Sequence, residues 1–299
     1  MHHLASLMQS YVDRNNLHSL NGVSATSIPG VKFYRADKGS PRQPFIYDAG
    51  IIIMGQGHKT IHLADHQMSY GPGDFLVLGA PLPLECEAFA DNGLPMMGLS
   101  IEIDSPLLHR LVNDLQAFTH ATGPDKGPLD CCVKSVHLCP PMLDATHRLL
   151  QALLHQTDAH MLGESIVSEI IYRVLVSTQG HVLFDLARHD GHYARVTRAL
   201  HKMHQQYADP ITVEVLAEEA NMSVSAFHKA FRLVTRESPL QYLKKVRLNK
   251  AKELIAAQGK RANDAARLVG YASPSQFSRE FKRHFNATPK TLLNQSATA

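Results

Sequence analysis

The chain has 299 residues, 44% of them hydrophobic and 19% charged, with a formal net charge of +3. That length suits two domains, and no run of 18 apolar residues offers a membrane-spanning helix. Four cysteines, Cys86, Cys131, Cys132 and Cys139, are too few for a disulfide scaffold, so reduced thiols and a cytoplasmic setting are expected.

The N-terminus places Leu4, Leu7, Met8, Tyr11 and Val12 at helical spacing, without the basic cluster and apolar core of a signal peptide. Residues 28–103 read as short strands. Val31–Arg35 and Lys59–Leu63 alternate, Ile51–Met54 and Phe75–Leu78 are buried runs, and strands follow at Leu84–Phe89 and Met96–Ile103. Gly, Pro and Asp mark the turns between them, as in a closed or sandwiched antiparallel sheet. The expected fold class is therefore α+β, with an N-terminal antiparallel β-barrel, flanking helices and an all-α C-terminal part. A barrel interior lined by Ile53, Phe75, Val77 and Met97, with Tyr34, Arg35 and Cys86 near its mouth, suits a small, largely apolar ligand. The opposing expectation is a filled barrel that binds nothing.

His58, His62 and His66 are spaced by four, but Ala64–Gln67 reads as a turn that breaks their register, so no metal or other cofactor is expected. Cys131, Cys132 and Cys139 lack zinc spacing and read as small hydrophobes.

Residues 105–117 and 142–179 carry helical apolar stripes, separated by a Gly/Pro loop over Thr122–Asp130. The stripe from Met142 to Leu154 and the stripe from Ile166 to Leu175 predict an antiparallel helix pair turning at His160–Gly163. Such stripes are usually plain core. Residues 180–191, bounded by Gly180 and Gly191, read as a linker between domains 1–179 and 192–299.

The last third is written twice. Ser223, Ser225, Phe227, Lys229, Phe231, Arg232, Pro239 and Tyr242 recur fifty residues later as Ser273, Ser275, Phe277, Arg279, Phe281, Lys282, Pro289 and Leu292. In the first copy Thr212 caps a helix containing Leu216 and Ala217, Asn221-Met222 turns, and Ser223 caps a second helix. Phe227, Ala230 and Phe231 then face inward, leaving Ser225, Ala226, His228, Lys229 and Arg232 outside. In the second copy Asn263–Val269 is followed by a Gly270-Tyr271 turn and a helix from Ser273 to His284. Pro274, Ser275, Ser278, Arg279 and Lys282 face out, and Phe277 and Phe281 face in. Each copy is a helix-turn-helix whose small, polar and cationic outer face suits a major groove.

Between the copies, Leu240, Leu243, Arg247, Leu248, Ala251, Leu254 and Ile255 keep helical spacing. About 18 helical residues span roughly 27 Å, close to the ~34 Å of one DNA turn. Charge follows the same division. Residues 190–299 carry 18 Lys and Arg against 9 Asp and Glu, net +9, and residues 1–189 hold the remaining 12 and 18, net −6. A basic part of this kind suits nucleic acid, although a solvated helical surface has a similar composition.

With these residues in view, 190–299 resembles the DNA-binding domain of AraC/XylS-type transcription regulators. The resemblance rests on Leu216-Ala217, Met222-Ser223, Phe227, Phe231, Ser238-Pro239, Tyr242-Leu243, Arg247-Leu248, Gly270-Tyr271, Phe277, Phe281-Lys282 and Thr288-Pro289. One departure is Leu292-Leu293, where the family usually has Tyr-Arg. Ile28-Pro29-Gly30-Val31, the strand before Gly55-Gln56-Gly57, and Tyr70–Asp74 resemble the cupin-type N-terminal domain of one subgroup of that family. The resemblance implies a non-enzymatic regulator of transcription that binds double-stranded DNA and responds to a small-molecule effector. It also implies a homodimer formed through the helices beside the barrel and, in an activator, contact with RNA polymerase. The alternatives are a metal-dependent cupin enzyme fused to a DNA-binding module, and a DNA-binding protein that takes no ligand.

Overall fold

A computed structural model describes residues 2–63, 66–119, 135–188 and 192–296. The chain forms two compact units. The first draws on residues 1–42, 48–79 and 85–189, the second on 43–47, 80–84 and 190–299.

Helix α1 (His2–Arg14) is followed by β1 (Gly22–Ala25), β2 (Val31–Ala36), β3 (Ser40–Tyr47), β4 (Gly50–Gln56) and β5 (His58–Leu63). Then come β6 (His66–Tyr70), β7 (Asp74–Leu78), β8 (Leu82–Phe89), β9 (Met96–Ile101), α2 (Ser105–Thr119) and β10 (Ser135–His137). The strands make two sheets, ordered β1-β2-β9-β4-β7-β10 and β3-β8-β5-β6. The expected barrel is therefore an open pair of sheets, not one closed ring. The Thr122–Asp130 loop, Cys131 and Cys132 lie outside the described residues.

Three helices complete the first unit: α3 (Pro140–Leu153), α4 (Gln156–Leu175) and α5 (Gly180–Ala187). One face of the six-stranded sheet carries Phe33, Ile51, Ile53, Phe75, Val77, Met97 and Leu99, and these join residues of all five helices in one core. Tyr11 of α1 lies 4.9 Å from the Phe33 ring. A Cβ on Gly55 of β4 would fall 2.3 Å from Met8 Sδ, so the absent side chain is what lets α1 lie this close.

Two helical expectations change. The turn between α3 and α4 falls at Leu154-His155, and His160–Gly163 lie within α4. Gly163 is a packing residue, since a Cβ there would meet Ile28 at 2.8 Å. The expected linker begins with α5, whose Val182, Leu183 and Phe184 are buried in the first unit's core.

The second unit is helical: α6 (His192–Gln205), α7 (Val213–Glu219), α8 (Val224–Thr235), α9 (Pro239–Gln258), α10 (Ala262–Leu268), α11 (Pro274–Phe285) and α12 (Pro289–Ser296). Helix α9 buries Tyr242, Leu243, Val246, Leu248, Ala251 and Ile255, whereas Leu240, expected on its inner stripe, is 54% exposed near its start. At 20 residues, α9 spans about 30 Å.

Candidate nucleic-acid interface

The two helix-turn-helix copies are built by the same local chemistry. In the first, the Thr212 hydroxyl accepts from Val215 N–H and the Ser223 hydroxyl from Ala226 N–H. In the second, the Ser273 hydroxyl accepts from Gln276 N–H, and Pro274 takes the first helical position, where a missing N–H costs nothing. Both turns close alike. Met222 N–H donates to Ala217 O and Tyr271 N–H to Ala266 O, each at 2.9 Å.

The turn requires positive φ. Asn221 supplies it at 50° and Gly270 at 84°, and asparagine is among the few residues besides glycine that adopt it routinely. A Cβ on Gly270 would fall 2.3 Å from Ala208 O. Gly270→Ala is expected to destabilise the second unit by about 1–3 kcal/mol, read as a lowered unfolding midpoint. An unchanged midpoint would show that the turn relaxes without cost. Both recognition helices also end in the left-handed region, at Arg236 (φ 61°) and Asn286 (φ 52°), fifty residues apart.

Phe227, Phe231, Phe277 and Phe281 are each 0% exposed. They hold α8 and α11 against the rest of the unit and leave one face of each outside. All ten expected contact residues are exposed: Ser225, Ala226, His228, Lys229 and Arg232 on α8, and Pro274, Ser275, Ser278, Arg279 and Lys282 on α11. Three further residues share these exposed surfaces. Arg236 borders a shallow depression with Ser225, His228, Lys229 and Arg232, and Gln276 and Arg283 border another with Arg279 and Glu280. Helical spacing signals two of them, since Arg236 follows Arg232 by four and Arg283 follows Arg279 by four.

Glu280 is the one acid in these two depressions, and it is held. Tyr271 Oη donates to its Oε2 at 2.8 Å and Gln276 Nε2 to its Oε1 at 3.3 Å. Burial, and then the bond to Glu280, push the Tyr271 hydroxyl pKa upward. It therefore stays a neutral donor.

Not all of the basic charge points outward. Arg198 donates to Glu219 O and Ala220 O, and Arg195 to Asn221 O, so α6 satisfies carbonyls at the end of α7 and in the first turn. Arg247 donates to Tyr207 O and Asp209 O, and Lys202 pairs with Glu219. These cations brace the motif.

The seven expected effector residues do not converge. Ile53, Phe75, Val77 and Met97 sit on the sheet face that packs against the helices, and Arg35 shares that face, opposite Met97. Arg35 is 7% exposed, donates to Leu20 O at 3.0 Å and pairs with Asp37 at 2.7 Å, which is a structural commitment. Tyr34 and Cys86 belong to the space between the two sheets. Of the three spaced histidines, His58 pairs with Asp91 at 3.0 Å and His62 lies 3.7 Å from Glu87. The His66 side chain is outside the described residues. Among the described residues, no group of three or more His, Cys, Asp or Glu is placed to hold a metal ion, and no helix is long and apolar enough to cross a membrane.

Two helix-turn-helix motifs joined by one long helix, accompanied by a two-sheet domain, define a class of protein built to hold DNA. Residues 27–182 match the family described as the AraC-type transcriptional regulator N-terminus, and residues 216–295 match a helix-turn-helix domain. The first match alone covers more than half of the chain, which belongs to the AraC-type transcriptional regulators, a family of regulators and not of enzymes.

Similar proteins include the HTH-type transcriptional regulator AlkR of Acinetobacter baylyi, 36% identical over 104 residues, which are 35% of this chain and 34% of that one. The HTH-type transcriptional activator RhaS of Klebsiella pneumoniae is 26% identical over 144 residues, 48% of this chain and 50% of its own. The chain thus spans about a third to a half of the length of these relatives. Among solved structures, ToxT from Vibrio cholerae with a bound unsaturated fatty acid matches over 92% of this chain and 97% of its own, with a TM-score of 0.54. At 10% identity that likeness concerns the fold alone.

Proposed function

We propose that the chain regulates transcription by binding specific double-stranded DNA through α8 and α11 in two successive major grooves. The observation that carries this reading is the repeat itself. Both copies have the same serine cap on the second helix, the same turn bonds and an exposed cationic face on that helix. The ten exposed residues above, with Arg236, Gln276 and Arg283, form the contact surface. The ~30 Å of α9 suits the ~34 Å between successive grooves.

In the same reading, residues 1–179 together with α5 form a sensor that takes a small-molecule effector, and residues 192–299 form the DNA-binding part. An effector shifts such a regulator only by its difference in affinity between two states. The relative RhaS is named an activator, so contact with RNA polymerase belongs to this proposal, as does a cytoplasmic setting. A homodimer is also proposed. It is supported by the exposed apolar residues Met161, Leu162, Tyr172 and Val176 along and just beyond α4, a surface of the sort that marks protein contacts.

Salt dependence tests the contact surface. Lys282 is exposed on α11 and suits a phosphate. Lys282→Ala is expected to weaken binding to all sequences about equally and to reduce the slope of log affinity against log salt by about 1. An unchanged slope would remove Lys282 from the interface.

A further inference from the structure

Helix α11 carries a single acid, Glu280, and an acid beside DNA repels the phosphates that the neighbouring cations attract. Arg279 and Arg283 flank it closely in sequence, yet its oxygens accept from two neutral donors. The Tyr271 hydroxyl donates to Oε2 at 2.8 Å, and Gln276 Nε2 donates to Oε1 at 3.3 Å.

Each of these bonds has a direction. A carboxylate only accepts, so Glu280 meets the nitrogen end of the Gln276 amide and not its oxygen end. Glu280 is in turn tied to the turn before the helix. Tyr271 N–H closes that turn on Ala266 O at 2.9 Å, and the Tyr271 ring packs at 70° to the Phe277 ring, 5.3 Å between centres. Burial raises the Tyr271 hydroxyl pKa and the bond to Glu280 raises it further, so the hydroxyl keeps the proton it donates. The turn thus sets the carboxylate, and the carboxylate sets the amide. Gln276 is exposed. With one amide hydrogen given to Glu280, its Oε1 and its second hydrogen remain, an acceptor and a donor side by side. That pair matches the N6 donor and N7 acceptor of adenine in the major groove. A free glutamine loses rotamer freedom on meeting a base, and a held one has less to lose.

The first copy has none of these parts. Met222 makes the turn bond equivalent to that of Tyr271, and Ala226 and Ala230 stand fifty residues before Gln276 and Glu280. Ala226 is exposed and Ala230 buried, and neither has a polar side chain. The arrangement therefore belongs to one recognition helix and is not a requirement of the helix-turn-helix fold.

We propose that Gln276 reads an adenine in the major-groove segment that α11 covers, and that Glu280 and Tyr271 are positioning residues that hold its amide in the order adenine requires. The inference rests on the reading of α11 as a recognition helix and names a base pair that it selects.

Binding titrations on the full chain test it, with a duplex that the protein selects from a random pool, every single-base variant of that duplex, and a scrambled duplex. Wild type is expected to prefer adenine roughly tenfold at one position, and Gln276→Ala should abolish that preference. Glu280→Ala and Tyr271→Phe should each reduce it several-fold, at that position and no other. Glu280→Ala removes a negative charge, so it should bind the scrambled duplex at least as tightly as wild type. In a Gln276→Ala background, Glu280→Ala should change the base preferences no further. Unfolding midpoints check that each variant folds, and if Tyr271→Phe does not, the Gln276 and Glu280 variants decide. The proposal is overturned if Gln276→Ala leaves the preferences unchanged or flattens a position where adenine is not preferred. It is equally overturned if Glu280→Ala strengthens binding to every duplex alike, or if its effect on the preferences persists without Gln276. A selected duplex whose preferences none of these variants moves leaves the regulator standing and removes only the adenine reading. No selected duplex at all would remove both.

Discussion

Phe277→Ala is expected to cost about 3–5 kcal/mol of stability in the second helix-turn-helix and to abolish its contact with DNA. The cluster around it is small: Leu248, Ala251, Ile255, Ala265, Ala266, Val269, Phe277 and Phe281. Three of the eight are alanines, so the two rings are its largest members. The Phe277 ring lies 5.3 Å from both the Tyr271 and Phe281 rings, so its removal opens a cavity against two neighbours and a turn. Thermal unfolding and hydrogen exchange on α10 and α11 read the effect. Wild-type exchange in both helices would contradict the inward face assigned to Phe277.

The second large effect is on sequence reading. Arg279 is exposed on α11, beside Gln276 and Arg283, and a guanidinium matches guanine O6 and N7 with two parallel hydrogen bonds. If Arg279 meets guanine, Arg279→Ala should weaken binding to the preferred sequence by about 1–3 kcal/mol, roughly 5- to 150-fold. It should also flatten the preference at one base position. Arg279→Lys should recover phosphate attraction but not the base preference, because an ammonium lacks the planar fork. Binding titrations against a set of single-base variants check this, and an unchanged profile would remove Arg279 from base contact.

The C-terminal site was legible because its signals are local. Hydroxyl caps, a turn residue with positive φ and paired phenylalanines four apart each fix their own neighbourhood, and their recurrence at fifty residues makes the pair unambiguous. The exposed faces of α8 and α11 follow directly. What escaped is long-range. The bracing of α7 by Arg195 and Arg198 depends on α6, which carries no motif.

The first unit was legible as alternating short strands, but not as faces. The runs Ile51–Met54 and Phe75–Leu78 have buried residues in succession, so periodicity does not tell which side meets the helices. That choice is made by α1, through Met8 against Gly55 and Tyr11 against Phe33. One step of register moves a residue to the other face, and Ile53 and Val77 stand on the helix-covered face, opposite the face that carries Tyr34. Glycine misled in the same way. Gly163 marks a close approach to Ile28 and Gly180 a tight turn against Leu175 O, whereas the turn that ends α3 uses Leu154 and His155.

The central claim is that two recognition helices hold one DNA face together. Selection of preferred sites from random duplexes, followed by methylation-protection footprinting of the full chain, tests it most directly. The account predicts two protected major-groove segments about 10 base pairs apart on the same face, with Arg279→Ala losing one and Lys229→Ala weakening the other. A single protected segment, or no sequence enriched by selection, would contradict it.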